Sequence, residues 1–228
     1  MGKRRYHHGD LRGALLDAAE ELVRERGPAG WSLREASARV GVSPSAAYHH
    51  FSSRDALVRA LSVRVLARLG ERMAEAAAAP GRDDDARRSL VAACRAYVRW
   101  ALDDPAVARL AFGAAARDPG TAVHPHPHDV IDAELDRLAE AGELSAAARP
   151  AAEFAVWAAV HGVATLLADG LMTLDPPQAA DLQTERVVQA VLTGLTRETA
   201  PPGTWPAARS THTERRAARA RERGRGEA

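Results

Sequence analysis

Residues 32–51 read SLREASARVGVSPSAAYHHF and predict two short helices joined by a tight turn. The first helix begins after Ser32, because a serine followed three residues later by Glu35 can form a reciprocal capping box. Gly41 ends this helix, since glycine readily adopts the left-handed conformation that closes a helix. Ser43 caps the second helix, and a proline follows it at the position where a missing N–H costs nothing. Two capped helices with so short a turn are typical of a helix-turn-helix, which binds DNA through its second helix.

Amphipathic helices are predicted on both sides of this pair. Residues 10–27 carry apolar side chains at helical spacing, so a helix there can pack against the pair. Ser52 or Ser53 is expected to cap a longer helix after the pair, with an apolar stripe that continues toward Ala79. The sequence therefore predicts a three-helix DNA-binding head on a long fourth helix.

Four short motifs in this region resemble the N-terminal domain of TetR-type one-component repressors. They are Tyr6-His7-His8-Gly9-Asp10-Leu11, Gly41-Val42-Ser43, Tyr48-His49-His50-Phe51 and Arg54-Asp55-Ala56-Leu57. Downstream, Trp157 followed by His161-Gly162 is similar to the C-terminal domain of a TetR subgroup. The resemblance implies an all-α homodimer that binds a roughly palindromic operator in double-stranded DNA and is released from it by a small-molecule effector.

The second helix of the pair is expected to supply the main DNA contacts. Ser45, Ala46 and His49 are predicted to face base edges, and the residues around them to contact phosphates and sugars. Residues 3–5 form a basic arm that either enters a minor groove or is simply a disordered start. The predicted DNA-binding residues are Arg4, Arg5, Ser32, Ser43, Ser45, Ala46, Tyr48, His49, His50 and Arg54. Because this surface has few polar side chains, we expect it to discriminate only modestly between correct and wrong bases, by about 1–3 kcal/mol at the best contacted base pair.

The formal net charge of +1 hides a strong asymmetry along the chain. Residues 1–68 contain 12 Lys and Arg against 7 Asp and Glu, whereas residues 69–208 contain 12 against 20. A basic head on an acidic body suits a DNA-binding protein, because counterion release favours the head on phosphates while the body is repelled. Residues 209–228 hold 7 Arg against 3 Glu, and we interpret this basic tail as a disordered extension in preference to a second DNA contact.

The rest of the chain shows helical spacing and no strand-like alternation. Residues 113–129 are predicted to form a loop, and two long helices are expected over residues 150–169 and 177–199. Because their apolar faces exceed what one helical layer can hide, we expect them to form a four-helix dimer interface. The predicted interface residues are Val160, Leu167, Val188, Val191 and Leu195. The predicted domains are residues 1–55 for DNA binding, residues 56–200 for effector binding and dimerisation, and residues 201–228 as a Pro- and Arg-rich tail.

The helical body contains few aromatic and polar groups that could line an apolar ligand pocket. The predicted effector-binding residues are Tyr97, Trp100, Arg109, Phe112, Trp157 and His161. Trp157 and His161 are four residues apart on one helix face, a pattern that equally suits core or dimer packing. The helix from Arg54 to about Ala79 is the expected lever between effector and DNA.

The sequence also bears on classes of protein other than a DNA-binding regulator. The single cysteine, Cys94, excludes an intramolecular disulfide and suits a reducing cytoplasm. No signal peptide, membrane span, cofactor site or catalytic motif is predicted, so the chain is not expected to be an enzyme. Two alternatives remain: a metal-responsive regulator that uses His124, His126 and His128, and a helical interaction protein without DNA binding.

Overall fold

The computed structural model describes residues 10–79, 85–113, 123–175 and 179–197, and within these ranges all regular structure is α-helical. The expected all-α fold is therefore confirmed. In chain order the helices are α1 (Leu11–Arg26), α2 (Leu33–Val40), α3 (Pro44–His50), α4 (Arg54–Ala77), α5 (Ala86–Asp103), α6 (Pro105–Phe112), α7 (Pro127–Glu140), α8 (Arg149–Ala168) and α9 (Ala179–Thr196). No helix in the described ranges is long and apolar enough to cross a membrane.

Side-chain caps set the limits of the first helices, as the sequence predicts. The Ser32 hydroxyl accepts the amide of Glu35 at 3.3 Å, and the Glu35 carboxylate accepts the amide of Ser32 at 2.9 Å. Gly41 ends α2 with φ of 80°, a left-handed conformation that a residue with a Cβ rarely adopts. Ser43 follows Gly41 by two residues and is the N-cap of α3. Its hydroxyl accepts a hydrogen bond from the amide of Ala46 at 3.2 Å. The helix-turn-helix is thus fixed by local hydrogen bonds.

The chain divides into two compact units, each described here by itself. The first unit comprises residues 1–68 and 103–123, so it includes α6 as well as α1 to α3 and the first part of α4. Its core is apolar and almost fully buried. The core side chains include Leu15, Ala19, Leu22, Trp31, Ala36, Ala47, Phe51, Leu57, Leu61 and Val65. The domain limit drawn at residue 55 from the sequence stays a prediction.

A buried carboxylate ties three helices of the first unit together. Glu20 on α1 is only 4% exposed and accepts from Arg64 at 3.0 Å, from Arg68 at 2.7 Å and from Arg24. Arg24 also donates to Asp104, the N-cap of α6, at 2.6 Å. Burial alone would raise the pKa of Glu20, but the hydrogen bond from Arg68 and the surrounding guanidinium charges outweigh it and lower the pKa. The carboxylate therefore stays ionised and links α1 to α4, while Arg24 carries the link to α6.

The second unit comprises residues 69–102 and 124–228, with α5 and α7 to α9 as its described helices. Ala152, Val156, Val160 and Ala164 recur every four residues on α8 and are buried. The buried residues of α9 are Ala180, Thr184, Val188, Leu192 and Leu195. One face of each helix is therefore buried in the core of the second unit.

This burial corrects the dimer interface predicted from the sequence. Val160 and Val188 are fully buried and Leu195 is 8% exposed, so all three belong to the core of the chain itself. Leu167 and Val191 are half-buried. The prediction is wrong at Val160, Val188 and Leu195, because α8 is apolar on most sides and its spacing alone does not say which side faces inward, while Leu167 and Val191 stay predictions.

The predicted loop also ends earlier than expected. Helix α7 begins at Pro127, so residues 127–129 are helical and not part of the loop. The Nδ1 atom of His126 accepts the amide of His128 at 3.2 Å, while the Asp129 carboxylate accepts the amide of His126 at 3.1 Å. A histidine N-cap of this kind is uncommon, which explains why the sequence pattern did not reveal it.

Helix α4 passes very close to the segment before α7. A Cβ added to Gly70 would overlap the carbonyl oxygen of Pro125, both of which belong to the second unit. Glycine is therefore required at this position for space, not for its backbone freedom.

Candidate DNA-binding surface and effector pocket

Helix α3 carries five of the ten residues predicted to contact DNA. Ser45, His49 and His50 are exposed, and Tyr48 retains 47% of its accessible surface. Ala46 is half-buried. On the opposite side of the helix Ala47 is fully buried in the head. Helix α3 therefore anchors through one small side chain and presents short polar and imidazole groups to solvent.

Arg54 was predicted to hold a phosphate, but its guanidinium is turned toward the protein. It donates to the carbonyl of Trp31 at 3.0 Å and to the carbonyl of Pro28, and it stacks over the Trp31 ring at 4.5 Å. These hydrogen bonds occupy Nε and one terminal nitrogen, an edge with which a guanidinium would bind a phosphate, and the other terminal nitrogen lies 3.7 Å from the Asp55 carboxylate. The structure therefore corrects the role of Arg54, which fastens the α1–α2 loop to the start of α4.

Three further residues predicted to bind DNA, Ser32, Arg4 and Arg5, lie outside α3. Ser32 is engaged in the capping box of α2, and its hydroxyl lies 2.8 Å from the Glu35 carboxylate. Arg4 and Arg5 lie outside the residues that the structure describes. The arm therefore stays a prediction.

Four of the six predicted effector-binding residues come together in the second unit. The Tyr97 hydroxyl lies 2.7 Å from Nδ1 of His161, and the Tyr97 and Trp157 rings are 5.4 Å apart. The rings of Trp157 and His161 are nearly parallel, at 8°, with centroids 5.9 Å apart. Trp100 lies 6.2 Å from Tyr97. We call Tyr97, Trp100, Trp157 and His161 the aromatic cluster. The other two predicted residues, Arg109 and Phe112, lie on α6 in the first unit.

The aromatic cluster has a second histidine that sequence reasoning did not place there. The ring of His128 packs on Trp157 with 3.9 Å between centroids, and its Nδ1 lies 2.9 Å from the carboxylate of Glu153. Both residues come from the packing of α7 on α8, so no motif within one helix announces them. Together they put an ionisable pair beside one face of the indole.

Burial controls the protonation of the aromatic cluster. It raises the pKa of Tyr97, which is 1% exposed, so this hydroxyl stays protonated at neutral pH. Burial, and then the charge of His128, lowers the pKa of His161. His161 is therefore neutral at pH 7 and can share a hydrogen bond with Tyr97. Neutral polar groups on aromatic walls suit the binding of a small organic molecule.

The histidines considered as metal ligands do not form a metal site. His124 is 86% exposed at its side chain, His126 caps α7 through Nδ1, and His128 packs on Trp157. Across the described part of the chain, no group of three potential metal-binding side chains converges. The metal-responsive alternative is therefore not favoured.

Large apolar side chains remain exposed on α8 and α9. Phe154 and Leu166 on α8 expose 61% and 40% of their surface, and Leu182 on α9 exposes 67%. They stand apart from the buried faces of the same two helices. A face of this kind on packed helices is typical of a protein–protein interface.

Two families of domains match this chain. Residues 15–61 match "Bacterial regulatory proteins, tetR family", and residues 90–191 match "Tetracyclin repressor-like, C-terminal domain". The first match spans α2, α3 and most of α1, and the second covers α6 to α8 and most of α5 and α9. The chain is 31% identical over 117 residues to the HTH-type transcriptional regulator Rv1816 of Mycobacterium tuberculosis. That stretch is 50% of this chain and 48% of the relative, so the chain spans about half the length of the curated relatives it matches.

Solved structures resemble the chain over a larger part of its length. A protein of unknown function from Rhodococcus sp. RHA1 is 28% identical, with a TM-score of 0.65 over 86% of this chain and 100% of that one. A putative transcriptional regulator from Pseudomonas aeruginosa PAO1 is 26% identical, with a TM-score of 0.65 over 85% and 95% of the two chains.

Proposed function

Since the chain belongs to the tetR family of bacterial regulatory proteins, a family of DNA-binding transcriptional regulators and not of enzymes, we propose that it represses transcription from an operator in double-stranded DNA. A helical interaction protein without DNA binding is not favoured by this family. As a DNA-binding regulator of a bacterial family, the protein would act in the cytoplasm.

The observation that carries this proposal is the exposed face of α3. Ser45 and His49 are exposed, while Ala47 on the opposite side is buried in the head. The side chains at the start of α3 are short, so the helix can lie close to the floor of a major groove. Serine and histidine supply hydrogen bonds to base edges there, which makes this face the reading surface of the protein.

We place the dimer interface on the exposed face of α8 and α9. Phe154, Leu166 and Leu182 would be covered by the same helices of a second copy, giving a four-helix bundle. Two heads held in this way can bind half-sites about 34–36 Å apart on one side of the duplex. The substitution Phe154→Asp, combined with Leu182→Asp, should give monomers in sedimentation-velocity experiments, whereas Ala133→Asp on the exposed side of α7 serves as the control for added charge.

We propose that a small organic effector binds at the aromatic cluster. The neutral Tyr97–His161 pair and the indole of Trp157 offer hydrogen bonding and stacking in one place. An effector can bind more tightly to a conformation in which the spacing of the two heads does not fit the operator. It then lowers the affinity for DNA by the factor by which DNA lowers the affinity for the effector, typically about 5- to 150-fold. The two tryptophans of this cluster, Trp100 and Trp157, give a fluorescence signal for screening.

DNA binding is tested by electrophoretic mobility shift with the upstream region of the protein's own gene and with DNA selected from a random pool. We expect a shift that weakens with added salt, and a loss of sequence preference in His49→Ala with little loss of folding. His124→Ala, a change in an exposed histidine of the second unit, is the matched control. The absence of any salt-dependent shift with either DNA would contradict the proposal.

A further inference from the structure

A recess of about 420 Å³ opens in the first unit beside the C-terminal end of α3. Its floor is formed by apolar groups of α1 and α4 and by Phe51, the residue that closes α3. Four basic side chains line it: Arg12 from α1, His50 from α3, and Arg59 and Arg64 from α4. Among the described residues that line this recess there is no carboxylate, so its wall is positively charged at Arg12 and Arg59.

Three of these four basic side chains have no acidic partner within the part of the chain that the structure describes. Arg64 is neutralised, because it binds Asp17 at 2.7 Å and Glu20 at 3.0 Å. Arg12 makes only a cation–π contact, with its guanidinium carbon 5.2 Å from the centre of the Phe51 ring. In the described residues, neither Arg59 nor His50 has a carboxylate within ion-pair distance.

Elsewhere in the first unit arginines are neutralised by carboxylates. Arg39 binds Glu25 through both terminal nitrogens at 2.7 Å, and Arg26 pairs with Glu35. Arg24 and Arg68 bind Glu20, and Arg54 lies 3.7 Å from Asp55, whereas Arg34, exposed on α2, has no such pair among the described residues. The unpaired guanidiniums of Arg12 and Arg59 therefore stand out against a fold that pairs most of its arginines.

We propose that this recess binds a phosphodiester group of the DNA backbone, with Arg12 and Arg59 as its ligands. The inference rests on the proposed DNA-binding function. A guanidinium matches a phosphate with two parallel hydrogen bonds, and a phosphate supplies the negative charge that the recess lacks. Arg12 and Arg59 thus take the role that Arg54 cannot fill while it holds the α1–α2 loop.

The position of the recess favours backbone phosphate as its ligand. The seven residues of α3 rise about 10 Å along the helix axis, close to the major-groove width of about 12 Å. If the N-terminal part of α3 lies in the major groove, its C-terminal end therefore reaches the sugar–phosphate backbone at the edge of the groove. His50 is both the last residue of α3 and a wall of the recess. The groove and the recess consequently share one edge.

The test compares the salt dependence of DNA binding in the full-length chain. Each phosphate contact contributes about 0.9 to the slope of log K against log salt. We expect the slope of Arg12→Gln/Arg59→Gln to be smaller by about two, with equal loss of affinity for operator and non-operator DNA. Arg12→Lys/Arg59→Lys should keep most of the slope, because the charges remain.

Arg26→Gln/Arg39→Gln is the matched control, because it also removes two charges but from arginines that are already paired, with Glu35 and Glu25. Its slope is expected to stay within about 0.5 of the wild-type value. If wild-type protein binds DNA with a normal salt slope and Arg12→Gln/Arg59→Gln keeps that slope, the recess is not a phosphate site although the protein binds DNA. If the wild-type protein shows no salt-dependent binding at all, the proposed function itself fails. Circular dichroism melting of each variant verifies that the heads are folded.

Discussion

Replacing Arg54 by alanine is expected to destabilise the first unit and to leave the number of phosphate contacts unchanged. The guanidinium makes two hydrogen bonds to loop carbonyls and stacks on Trp31 at 4.5 Å. Hydrogen bonds from a charged donor are worth about 1.5–3 kcal/mol each, and a partly exposed cation–π contact about 0.5–1 kcal/mol. Since these contributions overlap and water replaces part of them, we expect a loss of about 2–4 kcal/mol in the free energy of unfolding.

Arg54→Lys is the informative companion of this variant. Lysine keeps the positive charge but lacks the planar fork, so it cannot reach both carbonyls and stack on the ring. We therefore expect it to lose about 1–2 kcal/mol, between wild type and alanine. Urea unfolding followed by circular dichroism gives the free energies, and amide hydrogen exchange in α1 to α3 shows whether the loss lies in the first unit.

Salt titration of DNA binding completes this experiment. Measured at a temperature where both variants are folded, the slope should equal that of wild type, because no phosphate contact is removed. The reasoning is refuted if Arg54→Ala is as stable as wild type and its slope is smaller by about one. In that case the arginine leaves the loop and binds the backbone in solution.

Three other changes have definite expected outcomes. Gly70→Ala should cost about 1–3 kcal/mol of stability through overlap with Pro125, whereas Gly194→Ala, with open space around it, should be neutral or stabilising in the same urea titration. Burial and a neighbouring histidine lower the pKa of His161 below its usual 6.5, so the folded state takes up a proton less readily than the unfolded chain. The contribution of His161 to the free energy of unfolding should be fully present above about pH 6.5 and should be lost as the pH falls below that value. In His161→Gln, the melting temperature should change less between about pH 7 and pH 5. Burial also raises the pKa of the Cys94 thiol to about 12, and we expect iodoacetamide to label it at least about 100-fold faster in urea than in the folded protein. An equal labelling rate would contradict its burial.

The sequence allowed prediction of features that local hydrogen bonds determine. The capping box of Ser32, the left-handed Gly41 and the serine cap of α3 each involve residues within four positions of one another. Such interactions form from neighbouring residues whatever the rest of the chain does, so a short pattern is sufficient to reveal them.

Features that depend on distant residues could not be predicted in the same way. Arg54 finds its partners 23 and 26 residues earlier, and nothing in its own helix indicates them. The inward face of α8 was misassigned because alanine, valine and aromatic residues surround that helix on several sides. His128 and Glu153 meet only because α7 packs on α8. In each case a tertiary contact determines which residues a side chain meets, and the periodicity of the sequence gives no information about that contact.

The ion pairs around Glu20 have a chemical consequence for handling and regulating the protein. All of their cationic members are arginines, and Lys3 is the only lysine in the chain. Guanidinium groups do not lose their proton in proteins, so these links can be opened by acid but not by mild alkali. Acetylation, or a reagent that modifies lysine amines, would reach Lys3 and none of these side chains. The protein can therefore be labelled or immobilised through Lys3 without breaking the ion pairs that connect α1, α4 and α6.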